Sequence, residues 1–399
     1  MPEDLQIIAP RREQHFDAIL DLTAKCFSYS GYWGWTARAP KYFDDCIYDW
    51  QASRIGLVGG QVVTHFGVWD HQVRIGRGRV RVAGIGAVAT HGEFRKRGLV
   101  LETARDCLAG LAPAGYDLTA LSGIPKFYHK LGYVQGWPAE NWSAQVDDLP
   151  AATTPVALRK FRPAHREELA RLYNRQNAEM TGTAVRPTFL QCRNPWEGYL
   201  WRDGRGAVAG YVIVGETPEK LQHFDSAGDA ADVLDALRRI AHRKRHKTVE
   251  LIALHRRSEL ARALRRCDCR AESHYQASGG AMVRTVNLRS TLAKITDELA
   301  RRLVKSHLAK WRGELLISDP REKVVLRVDR GEVALADQAV GRVEHAIRGG
   351  EEIARLLLGS AEPAEVAEPG GIRTRGAGRE LLEALFPPQQ PMLSRWDYY

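Results

Sequence analysis

Long apolar runs are missing from this chain of 399 residues. No stretch approaches the ~20 consecutive apolar residues that a membrane-crossing helix requires, so no membrane partner is expected. The opening Met1-Pro-Glu-Asp-Leu-Gln has neither the basic region nor the apolar core of a secretory signal. Cysteine is sparse. Cys26, Cys46, Cys107, Cys192, Cys267 and Cys269 show no C-x-x-C pair and no regular spacing. That excludes a disulfide framework and points to reduced thiols in a cytoplasmic protein. Cys267-Asp268-Cys269 has no matching Cys/His pair at ligand spacing, so no metal is expected. Nucleic-acid motifs are also lacking, although the net charge is +10. The basic residues concentrate at Arg238-Arg239, at 243–247 and at 256–270. Ala230, Val233, Leu234, Leu237, Ile240 and Ala241 form one apolar helical face, and Arg238, Arg239 and Arg243 lie off it. A solvated helix face explains that run without a ligand, and no aromatic residues interleave it. No nucleic-acid partner is expected.

What is present is enough apolar residue, 44% of the chain, to build real cores, over a length that suits two or three domains. One stretch stands out. Val80 to Ala89 reads as a buried strand. Leu99, Val100, Ala104, Cys107, Leu108 and Leu111 then recur at helical spacing. Between them lies a basic turn, Arg95-Lys96-Arg97-Gly98. A helix N-terminus exposes unpaired N–H groups and a partial positive charge. Gly98 would let a phosphate approach the backbone, and three cations add formal charge, which is the physics of a pyrophosphate cradle. Gly84-Ile85-Gly86 sits inside a strand rather than after one, so it is not a dinucleotide fingerprint.

The rest of the chain reads in order. Leu5–Ala9 is a strand and Gln14–Phe27 a helix. The stretch from Phe27 to Trp35, with Tyr32 and Trp33, is dense in aromatics. It is either a packed loop or the wall of a substrate cleft, where aromatic faces attract ammonium groups. Arg54–Val58, Gln61–Val73 and Arg79–Thr90 form an antiparallel meander turning at Gly59-Gly60 and Gly76-Arg77-Gly78. Asp117–Leu121 is a strand parallel to the one before the turn. Strand and helix signals then repeat from Val156 to about Ala277. At the corresponding turn stand Asp225, Asp229 and Asp232, which would repel a pyrophosphate. Asn287 caps a helix with the stripe Leu288, Leu292, Ile295, Leu299 and Leu303. Short strands follow at Gly313–Ile317, Val324–Val328 and Glu332–Leu335. Gly350–Leu358 and Arg379–Phe386 are helices, with a Glu-, Gly- and Ala-rich loop at 361–378.

Arg95-Lys96-Arg97-Gly98-Leu99-Val100 resembles the acetyl-CoA signature of the GCN5-related N-acetyltransferases, Arg/Gln-x-x-Gly-x-Gly/Ala, with Val100 departing at the last position. Phe127-Tyr128-His129-Lys130-Leu131-Gly132-Tyr133 is similar to the second signature of that family. The whole layout resembles the Enhanced intracellular survival (Eis) family. The resemblance implies an α+β / α/β fold of two tandem mixed sheets with flanking helices and a sterol-carrier-like domain. Its expected boundaries are 1–150 for the catalytic unit, 151–286 for a degenerate second copy, and 287–399 for the last domain. It also implies acetyl-CoA as acyl donor. Backbone groups of Val88, Ala89 and Thr90 would hold the pantetheine arm, and Arg95 to Val100 the phosphates. Tyr128 is the expected acid for the leaving thiolate, with His129 in a supporting place. The carboxylate of Tyr399 is expected beside the reacting amine, with Asp397 and the aromatics Phe27, Tyr32, Trp33 and Trp35 facing the substrate. The implied acceptor is a small amine such as an aminoglycoside or polyamine, or a lysine-like side chain, in a homo-oligomer of three or six chains. Transfer of a longer acyl group, or an apolar-ligand binding protein without catalysis, are the alternatives.

Overall fold

The computed structural model describes residues 4–27, 47–187, 197–276, 278–336, 343–367, 371–394 and 397. It begins with β1 (Gln6–Ile8), α1 (Arg12–Phe27) and the meander β2 (Arg54–Val58), β3 (Gln61–Ile75) and β4 (Gly78–Thr90). The hairpins turn at Gly59, Gly60 and Gly76, all at positive φ, which a side chain would strain. Then α2 (Leu99–Leu111) crosses to β5 (Leu118–Gly123), parallel to β4, and β6 (Val134–Trp137) follows. The expected apolar stripe of α2 is buried except at Val100, which is half-buried.

The chain then builds a second sheet from β7 (Ala139–Gln145), β8 (Arg159–Lys160), β9 (Glu197–Arg202), β10 (Val208–Glu216), β11 (Leu221–Ala227), β12 (Thr248–Ile252) and β13 (Cys269–His274). Helices α3 (Arg166–Gln176), α4 (Ala230–Lys244) and α5 (Glu259–Leu264) accompany it. The order across the sheet is β13-β7-β12-β11-β10-β9-β8, with β11 and β12 parallel. The apolar face of α4 lies in the core, and Arg243 on its other side is exposed. Lys244 pairs with Glu197 and Glu216, and His246 with Glu216. Within that basic run Lys244 is therefore neutralised by carboxylates of the same unit.

β14 (Gly280–Thr285) joins the first sheet, giving the order β1-β2-β3-β4-β5-β14-β6. The expected boundaries at 150 and 286 therefore need correction. β7 belongs to the second sheet and β14 to the first. The two compact units are residues 1–136 with 276–389, and residues 137–275 with 390–398. The reason is physical: strand pairing is a long-range backbone matter that local patterns do not encode.

α6 (Leu288–Val304) opens on Asn287, whose carbonyl oxygen accepts from the N–H of Ser290 at 2.8 Å. Just before β5, the fully buried Asp117 accepts from Ser290 Oγ, Lys294 Nζ and the N–H of Arg81, each at 2.6 Å. This fastens α6 to the first sheet. The third sheet is built from β15 (Arg312–Ser318), β16 (Lys323–Asp329), β17 (Glu332–Leu335), β18 (His345–Arg348) and β19 (Arg373–Arg375), in the order β17-β16-β15-β18-β19. Helices α7 (Ile353–Leu358), α8 (Pro363–Ala367) and α9 (Gly378–Leu385) complete this region. The segment expected as a loop thus contains α8 and the exposed edge strand β19, both too short to show a period. Among the described residues no helix is long and apolar enough to cross a membrane, and no group of three metal-ligating side chains occurs.

Four histidines are buried among the described residues, His71 and three whose titration burial displaces. His65, His223 and His255 are 0%, 3% and 6% exposed, and burial pushes each down to about 4. A depressed folded-state pKa means that the unfolded chain binds the proton first. Stability is therefore full above pH ~6.5 and falls as the pH drops towards 4, by roughly 3 kcal/mol per histidine. Denaturant midpoints measured between pH 7 and pH 4 are expected to fall steadily, and a flat profile would contradict this.

Candidate functional site

β4 and β5 run side by side only from Val82 opposite Leu118 to Ile85 opposite Leu121. On its other side β5 pairs with β14 along its whole length, from Leu118 with Thr285 to Gly123 with Gly280, while β4 continues to Thr90. A split opens in the sheet, and backbone groups of Val88 to Thr90 on that side have no parallel strand to bond. Ala89 is buried, and Val88 and Thr90 are half-buried.

At the end of β4 the chain makes a short 3-10 turn, Gly92–Phe94, and then passes through Arg95, Lys96, Arg97 and Gly98. These four residues are all exposed. The helix opens at Leu99 rather than within the basic run. Gly98 is its N-cap at φ 82, a left-handed conformation that suits glycine. An ideal Cβ on Gly98 would meet nothing within 4 Å, so the requirement is conformational. Lys96 also sits at positive φ, 63°. The first-turn N–H groups of Leu99 and Val100 have no helical acceptor. Thr64 Oγ1 lies 2.7 Å from Thr103 Oγ1, which donates to the Leu99 carbonyl at 2.9 Å, tying the first turn of α2 to β3. The arginines are partly guided: Arg95 Nε donates to the Thr90 carbonyl at 3.3 Å, and the Arg97 guanidinium lies 5.1 Å from the Phe94 ring centre. Exposed cations around a helix start with open donors fit a pyrophosphate.

Beside the turn is a cavity of about 440 Å³ lined by Lys25, Cys26, His91 and Arg95 among others. Cys26 Sγ donates to the Thr90 carbonyl at 3.4 Å. Sequence reasoning missed Cys26, since an isolated cysteine in a helix carries no pattern.

Tyr128 begins a 3-10 turn, Tyr128–Leu131, closed by Gly132 at φ 79. Its ring packs edge-on to Phe127 and Tyr133. It belongs to the same apolar cluster as Ile85, Leu108 and Leu121, and Val88 packs against that cluster. A Cβ at Gly123 would lie 2.8 Å from the Tyr128 ring, so glycine there makes room for it. Burial pushes the Tyr128 phenol well above its ordinary range and keeps it protonated. His129 is exposed. Tyr133 has a structural task. Thr119 Oγ1 donates to the Ala83 carbonyl at 2.8 Å, which leaves the Tyr133 hydroxyl to donate to Thr119, also at 2.8 Å.

Phe27 ends α1. Tyr32, Trp33, Trp35 and Tyr399 lie outside the described residues. Asp397 requires correction. It belongs to the second unit, is 4% exposed, and has both carboxylate oxygens on the Arg186 guanidinium at 2.8 Å. Those oxygens are engaged and do not face a substrate amine. Asp225 likewise is not on the turn it was assigned to. It is buried in β11, bonded to Arg186 and to the Tyr211 hydroxyl. Asp229 does stand at the helix start, where its carboxylate accepts from the N–H groups of Ala231 and Asp232. The donors that a phosphate would need there carry a carboxylate already. The split between β11 and β12 narrows to a cavity of about 60 Å³, partly walled by Met392 and Ser394 from the end of the chain.

Residues 8–136 match the family described as the acetyltransferase (GNAT) domain. The chain is similar to the solved GCN5-related N-acetyltransferase from Kribbella flavida, at 20% identity and a TM-score of 0.74, over 100% of this chain and 99% of that one. It is similar to another from Anabaena variabilis, at 17% identity and a TM-score of 0.77, over 99% and 100%. Eis1 from Mycobacterium abscessus matches at 15% identity and a TM-score of 0.63, over 96% and 97%. No curated protein matches the chain. At such identities the structural likeness shows the fold alone, and it spans the chain. The family match places an N-acetyltransferase domain at residues 8–136, and domains of this kind use acetyl-CoA and act on amines.

Proposed function

We propose that this chain is an acetyl-CoA-dependent N-acetyltransferase acting on a small amine, an aminoglycoside or polyamine, or on a lysine-like side chain. The observation that carries the reading is the exposed Arg95–Gly98 turn at the open end of the β4/β5 split, with Val88 packed against the apolar cluster that holds Tyr128. Acetyl-CoA supplies the activated acyl group as a thioester. Arg95, Lys96, Arg97 and the first-turn N–H groups of Leu99 and Val100 take the phosphates, and backbone groups of Val88, Ala89 and Thr90 take the extended arm. The Val88 N–H donates to the acyl oxygen as negative charge develops there. Tyr128 donates a proton or a hydrogen bond to the departing sulfur. The second unit is a degenerate copy, and acetyl-CoA binds once per chain. The C-terminal sheet is sterol-carrier-like, and the assembly is a trimer or hexamer.

A thiol-release assay with acetyl-CoA against polyamines, aminoglycosides and lysine-containing peptides tests the reading, and release with none of them would defeat it. Tyr128→Phe is expected to lower kcat and kcat/KM together, by ten- to a hundredfold, with acetyl-CoA affinity near normal. That pattern marks an interaction made in the transition state. A normal kcat would return Tyr128 to a packing role.

A further inference from the structure

β3 and β4 fall out of register in one place. Thr64 pairs with Thr90 and His65 with Ala89, but Gly67 pairs with Gly86. Ala87 and Val88 therefore stand opposite Phe66 alone, a β-bulge. The first bulged residue takes φ 47, and it is alanine where glycine would be at ease.

A buried pair of side chains reaches this point. His65 Nδ1 lies 2.8 Å from the Ala87 carbonyl oxygen, and His65 Nε2 lies 2.8 Å from the Tyr48 hydroxyl. His65 is 0% exposed and Tyr48 7%. A carbonyl can only accept, so Nδ1 carries the hydrogen, Nε2 is the acceptor, and Tyr48 donates to it. Burial favours the neutral ring that this arrangement needs. Tyr48 is itself fixed by a bridge to Trp69 and by edge contacts with Trp50 and Trp69. A Cβ at Gly67 would lie 2.7 Å from His65 Cε1, so glycine gives the imidazole its place.

The Ala87 carbonyl and the Val88 N–H belong to one planar trans peptide and point in opposite directions. Whatever holds the carbonyl aims the N–H. Resting on the acetyltransferase reading above, we propose that Tyr48 and His65 are positioning residues: their relay to the Ala87 carbonyl aims the Val88 N–H at the acyl oxygen.

The test is steady-state kinetics on His65→Leu, Tyr48→Phe and the double variant His65→Leu/Ala87→Gly, with acetyl-CoA affinity and the Val88 amide resonance measured alongside. His65→Leu is expected to lower kcat ten- to a hundredfold, to leave acetyl-CoA Kd within about twofold, and to shift the Val88 amide. Tyr48→Phe frees the other tautomer and should lower kcat less. Adding Ala87→Gly should recover several-fold of the loss, because glycine holds positive φ unaided. Unchanged kcat in a folded His65→Leu protein overturns the proposal. So does a loss shared equally with acetyl-CoA affinity and not rescued by glycine. Should His65→Leu fail to fold, Tyr48→Phe decides, and a normal kcat and Val88 amide in it overturn the relay. If the wild type releases no thiol with any amine, the acetyltransferase reading has failed, whereas an unmoved Val88 amide in the variants defeats the relay itself.

Discussion

The double variant Arg95→Glu/Arg97→Glu is expected to lose acetyl-CoA binding by at least a hundredfold while melting close to the wild type. Each arginine offers charge-assisted hydrogen bonds worth about 1.5–3 kcal/mol, and a glutamate in its place adds repulsion at the phosphates. The fold has little stake in either side chain. Both are exposed, Arg95 reaching the Thr90 carbonyl and Arg97 lying over Phe94. Surface changes of this kind usually stay within ~0.5 kcal/mol of stability. Calorimetry with acetyl-CoA, beside a thermal melt, reads both quantities. Unchanged affinity would place the phosphates elsewhere.

The second large effect belongs to the other unit. Arg186→Met is expected to destabilise it by about 3–5 kcal/mol, whereas Asp397→Asn should be much milder. The Arg186 guanidinium is bonded to both oxygens of Asp397 and both of Asp225 and lies 3.4 Å over the Tyr173 ring. Its side chain is 3% exposed, and each carboxylate 4%. One cation thus faces two anions. Removing the cation strands two buried charges together, and removing one anion leaves a matched pair. Urea denaturation of both variants separates the cases, and equal losses would contradict this account of the charges.

Those two sites were unequally legible in the sequence. The Arg95–Gly98 turn could be read because strand, turn and helix are consecutive, and the glycine falls at the position that needs positive φ. The Tyr128 signature was legible for the same local reason. Arg186 and Asp397 are separated by more than two hundred positions, and nothing near either announces the other. Asp397 read as a substrate ligand because the resemblance to the Eis family implies that the end of the chain reaches the first unit's site. Its actual partner is chosen by burial, which spacing does not show. His65 was silent too: within a buried strand it is one more core residue until the bulge opposite it is seen. The meander and the stripe of α6 were clear from their periods. The exchange of β7 and β14 was not, since each has ordinary strand composition and differs only in its neighbours.

That exchange has a bearing on how the protein is made. Among the described residues β6 pairs in its sheet only with β14, and β14 is the strand that covers the free side of β5. Roughly 140 residues lie between the end of β6 and the start of β14. At ~5–20 residues per second, a ribosome takes about 7–30 s to supply them. Throughout that interval β5 presents an open edge, the kind of surface that pairs with a neighbouring nascent chain. The first sheet cannot close as the first third of the polypeptide emerges. It must wait for the whole second sheet to be translated, and a fragment cut at residue 150 would keep that edge open permanently.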